Sequence, residues 1–142
     1  MVPRQQRRWE MVVKAVATSI GNIAVWVGDL ERAKRFYTAG LGFDVIATVQ
    51  TSEVHEVIVG RQGLGSQLML AHRIGQPGMA APTGFWKTFV WSEDLPEDFA
   101  KAVAAGGTVV TEPTRLAQFH LTIAVVADPD GYLVELGQQE QS

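Results

Sequence analysis

Two short stretches of the chain, 22–30 and 87–95, carry hydrophobic and polar residues in a similar order. They align without a gap and carry identical residues at four of nine positions. The identical pairs, each 65 positions apart, are Val25 and Val90, Trp26 and Trp91, Asp29 and Asp94, and Leu30 and Leu95. Because alternation with a period of two is typical of a half-buried strand, the pattern predicts a strand that begins each of two copies of one structural unit.

Each copy continues with the same succession of predicted elements. The aspartate that ends the strand is a good helix N-cap, and Pro96 and Glu97 strengthen that helix start in the second copy. Turns that contain glycine end both helices. The predicted helices are Leu30–Ala39 and Leu95–Ala105, and the predicted strands after them are Phe43–Val49, Val54–Gly60 and Gln67–His72 in the first copy and Thr108–Thr111, His120–Val126 and Tyr132–Gln138 in the second. The chain is therefore predicted to be α+β, with two tandem βαβββ modules.

The length of the chain limits its domain organisation. With 142 residues, it has room for one domain with a hydrophobic core and is too short for two ordinary domains. We predict an N-terminal tail at 1–17 and a single domain at 18–139. Within that domain, the first module covers about 18–73, a connector rich in glycine and proline covers 74–84, and the second module covers about 85–139.

Composition and charge narrow the range of partners. The net charge of −3 favours neither nucleic acid nor an anionic membrane, and the absence of cysteine excludes thiolate metal ligands and disulfides. No uncharged apolar run reaches the roughly 18 residues of a membrane span, and the arginines of the tail precede no apolar run of the signal-peptide type. We interpret the tail as a solvated extension of a cytoplasmic protein, with a binding role for its arginines as the alternative.

Four segments resemble motifs of a known family. In order along the chain, these are Ile23–Leu30, Phe36–Tyr37, Leu41–Phe43 and Asp128–Leu136. The family is the vicinal oxygen chelate superfamily, also called the glyoxalase, bleomycin resistance and dioxygenase group, and the resemblance covers about residues 20–138. It implies a pair of βαβββ modules whose mixed sheets curve into a shared cup that holds a small molecule, commonly in a homodimer.

The resemblance also implies four positions for a divalent metal ion. Enzymes of the superfamily usually hold the metal with one residue from the first strand and one from the last strand of each module. Carried onto this chain, the positions are Asn22, Met69, Lys87 and Glu135. Glu135 is the only residue of an ordinary ligand type among them, because Lys87 brings a competing cation and Met69 offers a soft thioether better suited to copper(I). We therefore expect no metal and no other cofactor, with a divalent metal as the alternative.

Strand alternation indicates which side chains share the inner face of the cup. Lys87 and Glu135 are expected to pair there, either to orient an anionic or carbonyl-bearing ligand or to act in acid–base catalysis. The other residues predicted to bind the ligand are Asn22, Trp26, Gln67, Met69, Phe89, Trp91 and Leu133. Apolar walls with a few convergent polar groups are typical of small-molecule sites. The alternative is that the tryptophans fill the cup as core.

Three functions stay open at this point. The first is a metal-independent protein that binds a small aromatic, carbonyl-bearing or anionic molecule. The second is a lyase or isomerase, which would be metal-free through Lys87 and Glu135 or would hold a rearranged divalent metal at Glu135 with one of the three histidines, His55, His72 and His120. The third is an interaction module with a filled cup. A ring-cleaving dioxygenase fits least, because it needs two histidines and a carboxylate around iron. We interpret each histidine as a half-exposed residue at a strand end.

Overall fold

The computed structural model describes residues 22–75 and 85–141. In these residues the chain forms two four-stranded mixed sheets, one from each module, and each module adds a helix. The predicted α+β fold of two βαβββ modules is confirmed. The predicted tail at 1–17 and most of the predicted connector at 74–84 lie outside the described residues. None of the helices in the described ranges is long and apolar enough to span a bilayer.

Each module contributes a strand, a helix and three further strands. The first module comprises β1 (Asn22–Trp26), α1 (Leu30–Arg35) with a π-helical turn (Phe36–Gly40), β2 (Asp44–Gln50), β3 (Val54–Arg61) and β4 (Leu64–Arg73). The second module comprises β5 (Lys87–Trp91), α2 (Leu95–Ala104), β6 (Thr108–Leu116), a 3-10 turn (Ala117–Phe119), β7 (Leu121–Ala127) and β8 (Leu133–Gln139). The strand orders are β1-β4-β3-β2 and β5-β8-β7-β6, so β1 and β5 are both edge strands, each parallel to its one neighbour.

The predicted turn between β3 and β4 is longer than the observed one. Arg61 pairs with Leu64, which leaves only two residues in the turn, and Gly63 there has a φ of 71°. Glycine adopts this left-handed backbone conformation without steric cost. Strand β4 therefore begins at Leu64, three residues before the predicted start at Gln67.

Two predicted strand boundaries in the second module are also wrong. Strand β6 continues to Leu116, beyond the predicted end at Thr111, and it contains Pro113. Proline is tolerated there because β6 is an edge strand whose register with β7 is irregular at that point. His120, predicted to begin a strand, has a φ of 51° and follows the 3-10 turn, and β7 begins one residue later.

One continuous hydrophobic core joins the two modules. It includes the helical residues Phe36 and Tyr37 together with Leu70 of β4 and Leu136 of β8, all of which are almost fully buried. The alternate residues of the same strands are more exposed. Each sheet therefore packs one face on the shared core that contains the helices, and its other face points away from that core.

The turn between β7 and β8 is fastened to the first module by hydrogen bonds. The backbone N–H of Gly28 donates to Asp130 Oδ1 at 2.7 Å, and the guanidinium of Arg32 donates to the same oxygen at 3.2 Å. The hydroxyl of Tyr132 donates to the carbonyl oxygen of Trp26 at 2.7 Å. We call this contact between 128–132 and 26–37 the closed junction.

Asp128 lies buried in the closed junction and accepts hydrogen bonds at both carboxylate oxygens. The hydroxyl of Tyr37 donates to Oδ2 at 2.8 Å, and the backbone N–H groups of Asp130 and Tyr132 donate to Oδ1 at 2.9 Å. Burial raises the pKa of Asp128, although these hydrogen bonds oppose the shift. Burial and the adjacent Asp128 raise the pKa of Tyr37 well above its ordinary value, so its hydroxyl stays a donor.

Candidate functional site

Lys87 and Glu135 form an ion pair on the face of the second sheet that points away from the core. Glu135 is the register partner of Phe89, two residues after Lys87, so both charged side chains project from the same face. The Nζ atom of Lys87 lies 3.1 Å from Oε1 and 3.2 Å from Oε2 of Glu135. The side chains are 23% and 17% exposed. The predicted pairing of these two residues is confirmed in the structure.

Trp86 completes the surroundings of the lysine. The Nζ atom of Lys87 lies 3.9 Å from the ring centroid of Trp86, which is a cation–π distance. The ammonium group is thus held between a carboxylate and an aromatic face. Trp86 was not predicted as part of the site, and the signal that would have found it is its position directly before Lys87, the first residue of the edge strand β5.

Two further aromatic side chains extend this surface. The rings of Phe89 and Trp91 meet edge to face, with centroids 4.8 Å apart. A Cβ atom on Gly137 would overlap Cζ of Phe89, so the glycine leaves room for the tip of that ring against β8. Trp91 is 61% exposed and Trp86 is 73% exposed. Large exposed aromatic groups beside a charged pair are typical of a binding surface. The module 2 cup face is defined by Lys87, Phe89, Trp91, Leu133 and Glu135.

The first sheet carries a second surface, formed by β1 and β4, the strands that correspond to β5 and β8 in the repeat. Asn22 is the register partner of Gln67, and Met69 lies opposite Ala24 on the adjacent strand. Trp26 is partly buried, and the guanidinium of Arg73 lies 4.8 Å from its ring centroid. The module 1 cup face is defined by Asn22, Trp26, Gln67 and Met69. The predicted ligand-binding residues are therefore brought together within each sheet.

The two cup faces border one groove of the chain, which is lined by Gln67 together with Lys87, Phe89 and Trp91, but they make no direct contact across it by hydrogen bonds or ion pairs among the described residues. Tyr132, whose hydroxyl is bonded to Trp26, lies one residue before the register partner of Lys87. Lys87 is therefore on the side of the C-terminal end of β1. Asn22 lies at the opposite end of that strand, about 13 Å away at roughly 3.3 Å per residue. Among the described residues, no hydrogen bond or ion pair links one cup face to the other.

The donor set does not fit a divalent metal ion. Among the four positions that the resemblance implies, Lys87 is a cation and Met69 a soft thioether, and neither is a ligand for a hard or borderline divalent ion. In the module 2 cup face, the carboxylate of Glu135 is already neutralised by Lys87. No group of three or more histidine, aspartate or glutamate side chains in 22–75 and 85–141 is arranged to hold a metal. We therefore derive no chemical step through a metal.

The histidines lie away from Glu135. His55 and His72 are register partners on β3 and β4, on the helix side of the first sheet, opposite to the face that carries Met69. The ring Nδ1 of His72 lies 3.1 Å from the carbonyl oxygen of Val27. His120 is exposed and lies 3.6 Å from Glu140. The structure thus gives no support to a rearranged metal site at Glu135 that uses one of these histidines.

The family of the chain is shown by comparison with known proteins. The model of the Glyoxalase/Bleomycin resistance protein/Dioxygenase superfamily matches residues 19–136. The chain belongs to this superfamily, as the resemblance of its motifs implied.

Individual relatives agree with this assignment. A Vibrio parahaemolyticus protein named "Probable lactoylglutathione lyase" is 29% identical over 120 residues, which cover 82% of this chain and 87% of the relative. The antibiotic-binding protein TnmS3 from Streptomyces sp. CB03234 superposes with a TM-score of 0.68 and 25% identity, over 88% of this chain and 99% of TnmS3. Glyoxalase I from Zea mays superposes with a TM-score of 0.75 and 23% identity, over 85% of this chain. The chain spans only 44% of the maize protein, and that likeness shows the fold.

Proposed function

We propose that this chain binds a small molecule in a cup that works without a metal ion. The observation that carries this proposal is the ion pair of Lys87 with Glu135. The family resemblance implies that both residues stand at positions that hold the metal in enzymes of the superfamily. A fixed cation there replaces the charge of a metal ion and repels one. The exposed aromatic rings of Phe89 and Trp91 supply the apolar wall beside it.

The cup is proposed to form between two copies of the chain. Each chain presents its two cup faces away from its shared core, so neither face is covered by the other. In a homodimer, the module 1 cup face of one protomer would lie opposite the module 2 cup face of its partner. Asn22, Gln67 and Met69 would then complete the site around Lys87 and Glu135. A homodimer with two-fold symmetry forms two such cups.

The chemistry of the cup faces favours a flat ligand with a carbonyl or anionic group. Aromatic rings bind planar apolar groups by offset or edge-to-face contacts. The Lys87 ammonium has donors for a carbonyl or carboxylate oxygen, and Gln67 and Asn22 add amide groups. The likeness to an antibiotic-binding protein supports binding without turnover.

A second candidate function is lyase or isomerase chemistry. The relative named as a lactoylglutathione lyase covers most of this chain and favours it. In a metal-free reaction, Glu135 would remove a proton from the substrate and Lys87 would stabilise the negative charge that develops on a carbonyl oxygen. Both groups lie on one exposed face and are 3.1 Å apart, so they have access to a bound molecule.

One experiment separates the two functions. Purified full-length protein is analysed for metal content, screened against planar carbonyl-bearing compounds by tryptophan fluorescence, and assayed for lactoylglutathione lyase activity with and without a chelator. We expect ligand binding that the chelator leaves unchanged, no turnover, and at least a tenfold weaker affinity in Lys87→Met, since the variant loses a charge-assisted hydrogen bond of about 1.5–3 kcal/mol. Lys101→Met is the matched control, because Lys101 pairs with Glu97 on the exposed side of α2.

The possible outcomes bear differently on the proposal. Turnover that survives the chelator and is lost in Glu135→Gln would establish the lyase alternative. Stoichiometric divalent metal that Glu135→Gln abolishes would refute the metal-free cup. If Lys87→Met and the unaltered chain bound the ligand with equal affinity, the ion pair would not be part of the binding site.

A further inference from the structure

Gly137 of β8 is in contact with the ring of Phe89 in the module 2 cup face. The backbone of Gly137 lies outside the left-handed region, so the backbone itself does not require a glycine. The constraint is the space above the sheet, because a Cβ atom at this position would overlap Cζ of Phe89. Glycine weakens a strand and often marks a close approach of another group. Gly137 therefore lets the tip of the Phe89 ring lie against β8.

The corresponding positions of module 1 carry a different pair of residues. With the offset of 65 that relates the first strands, Ala24 corresponds to Phe89. With the offset of 66 that relates the last strands, Ala71 corresponds to Gly137. The strand registers of the two modules agree at these positions. Module 1 thus combines two small side chains, whereas module 2 combines a large ring with the one residue type that leaves room for it.

The tryptophans of the two cup faces differ in their access to a ligand. Trp26 is partly buried, and the guanidinium of Arg73 lies over its ring, 4.8 Å from the centroid. Trp91 is 61% exposed, and its ring meets the ring of Phe89 edge to face. Phe89 is itself 40% exposed, so both rings of module 2 are open to a ligand. The aromatic part of a ligand is therefore expected to bind on module 2.

The spacing of residues along β5 indicates the length of that aromatic part. Lys87, Phe89 and Trp91 follow one another at every second residue on one face, about 6.6 Å apart at the usual rise of a strand. A carbonyl group bound at Lys87 would place the first attached ring near Phe89 and a second, fused ring toward Trp91. The row therefore suits a two-ring aromatic compound better than a compound with a single ring.

We propose that Gly137 is a specificity-determining residue of the cup, and that the ligand is a two-ring aromatic compound with a carbonyl group at one end. This inference rests on the proposed function and names the class of ligand for the same site. By leaving room for the Phe89 ring against β8, Gly137 keeps that ring out of the space of the ligand and in contact with Trp91. Gly137 acts through Phe89 and is therefore a positioning residue.

A pair of ketones tests the class of ligand. Methyl naphthyl ketone and acetophenone carry the same carbonyl group and differ by one ring. In equilibrium dialysis with the full-length protein, we expect the two-ring ketone to bind roughly fivefold tighter, because its second ring contacts Trp91. Trp91→Ala should abolish this preference. Phe119→Ala is the matched control, since Phe119 is an aromatic residue that is 64% exposed on the 3-10 turn, and it should leave the preference unchanged.

A double-mutant cycle tests the role of Gly137. Gly137→Ala should weaken binding of methyl naphthyl ketone at least about tenfold, because the added Cβ displaces the Phe89 ring into the space of the ligand. In a chain that already carries Phe89→Ala, the same substitution should change the affinity by less than about twofold, since no ring is left to displace. The double variant also reproduces the pair Ala24 and Ala71 of module 1.

Thermal unfolding of the three variants completes the cycle. If Gly137→Ala failed to fold while the double variant folded normally, the coupling of Gly137 to Phe89 would be shown by stability instead of affinity. An equal loss of affinity or of folding in both backgrounds would refute the positioning role, because the Cβ atom would then act on β8 itself. Unchanged affinity in Gly137→Ala would refute it as well.

Failure of this inference is distinguishable from failure of the proposed function. Equal affinity of the unaltered chain for the two ketones would refute the two-ring class and leave a metal-free cup in place. The same holds if the chain bound neither ketone but bound other planar carbonyl compounds. A chain that bound no planar compound in any assay would refute both proposals.

Discussion

The closed junction differs from its internal-repeat counterpart around Leu64 and Ser66, a groove between the two modules that we call the open junction. In the closed junction, Asp128, Asp130 and Tyr132 make hydrogen bonds to the other module. In the open junction, Leu64 and Ser66 stand at the positions of Asp130 and Tyr132 and line a groove. The comparison shows that duplication of a fold does not duplicate its interfaces. The polar side chains at a few turn positions decide whether two modules seal against each other or leave a cleft.

The largest expected effect is at Asp128. Asp128→Ala should destabilise the protein by about 3–5 kcal/mol, because it leaves the buried hydroxyl of Tyr37 and two backbone N–H groups without an acceptor. Urea unfolding followed by circular dichroism measures the change. Gln62→Ala, at the position that corresponds to Asp128 in the open junction, should change stability by no more than about 0.5 kcal/mol. Similar losses in the two variants would contradict the difference between the junctions.

The next effect concerns Asp130. Its Oδ1 atom accepts from Gly28 and Arg32, and its side chain is 3% exposed. Asp130→Ala should cost about 1–3 kcal/mol of unfolding free energy, mostly through the buried N–H of Gly28. Leu64→Ala is the counterpart in the open junction and should cost little, since Leu64 is largely exposed. A loss in Leu64→Ala that equals the loss in Asp130→Ala would mean that the groove is as tightly packed as the closed junction.

A smaller effect is expected from Tyr132. Tyr132→Phe removes only the hydroxyl that donates to Trp26 and keeps the ring against Phe85. The expected cost is about 0.5–1.5 kcal/mol, the usual net value of one hydrogen bond. Thermal unfolding of the variant and of Ser66→Ala, the counterpart in the open junction, measures the difference. If Ser66→Ala proved the more destabilising, the assignment of the sealing contacts would be wrong.

The smallest effect is a dependence of stability on pH. Because burial raises the pKa of Asp128 in the folded protein, the folded state binds its proton more tightly than the unfolded state. The stabilisation from this proton is fully present below the unfolded pKa, near 3.8, and is lost as the pH rises through the higher folded value. The unfolding free energy of the unaltered chain minus that of Asp128→Asn should therefore fall as the pH rises from about 4 to 7, and a rising difference would contradict the shift.

Much of the fold could be predicted from local patterns. The 65-residue repeat, the strand alternation and the capping aspartates predicted both modules, and Asp29 and Asp94 do accept hydrogen bonds from the first turns of their helices. The pairing of Lys87 with Glu135 was expected because the family resemblance implies that both stand at metal-ligand positions of the cup, and the structure shows the ion pair. The boundaries were less predictable, because Pro113 lies inside β6 only where that strand is an edge.

The candidate site was predicted less completely than the fold. The sequence pattern predicted which side chains lie on each cup face, whereas the groove that both faces border depends on how the two sheets pack on the helices. The contact of the tip of the Phe89 ring with Gly137 and the cation–π contact of Lys87 with Trp86 were not predicted. Both depend on ring orientations that a period-two pattern does not specify.

The sequence by itself therefore determined the duplication, the fold class, the family and the side chains available to each sheet face. These properties follow from short-range periodicity and from the order of the motifs, both of which depend only on the succession of residues along the chain. Only the tertiary structure decided that one junction is sealed by Asp128, Asp130 and Tyr132, and that its counterpart is a groove bordered by residues of both cup faces. These features depend on contacts between residues about 90 to 106 positions apart, whose formation is set by packing of the whole core.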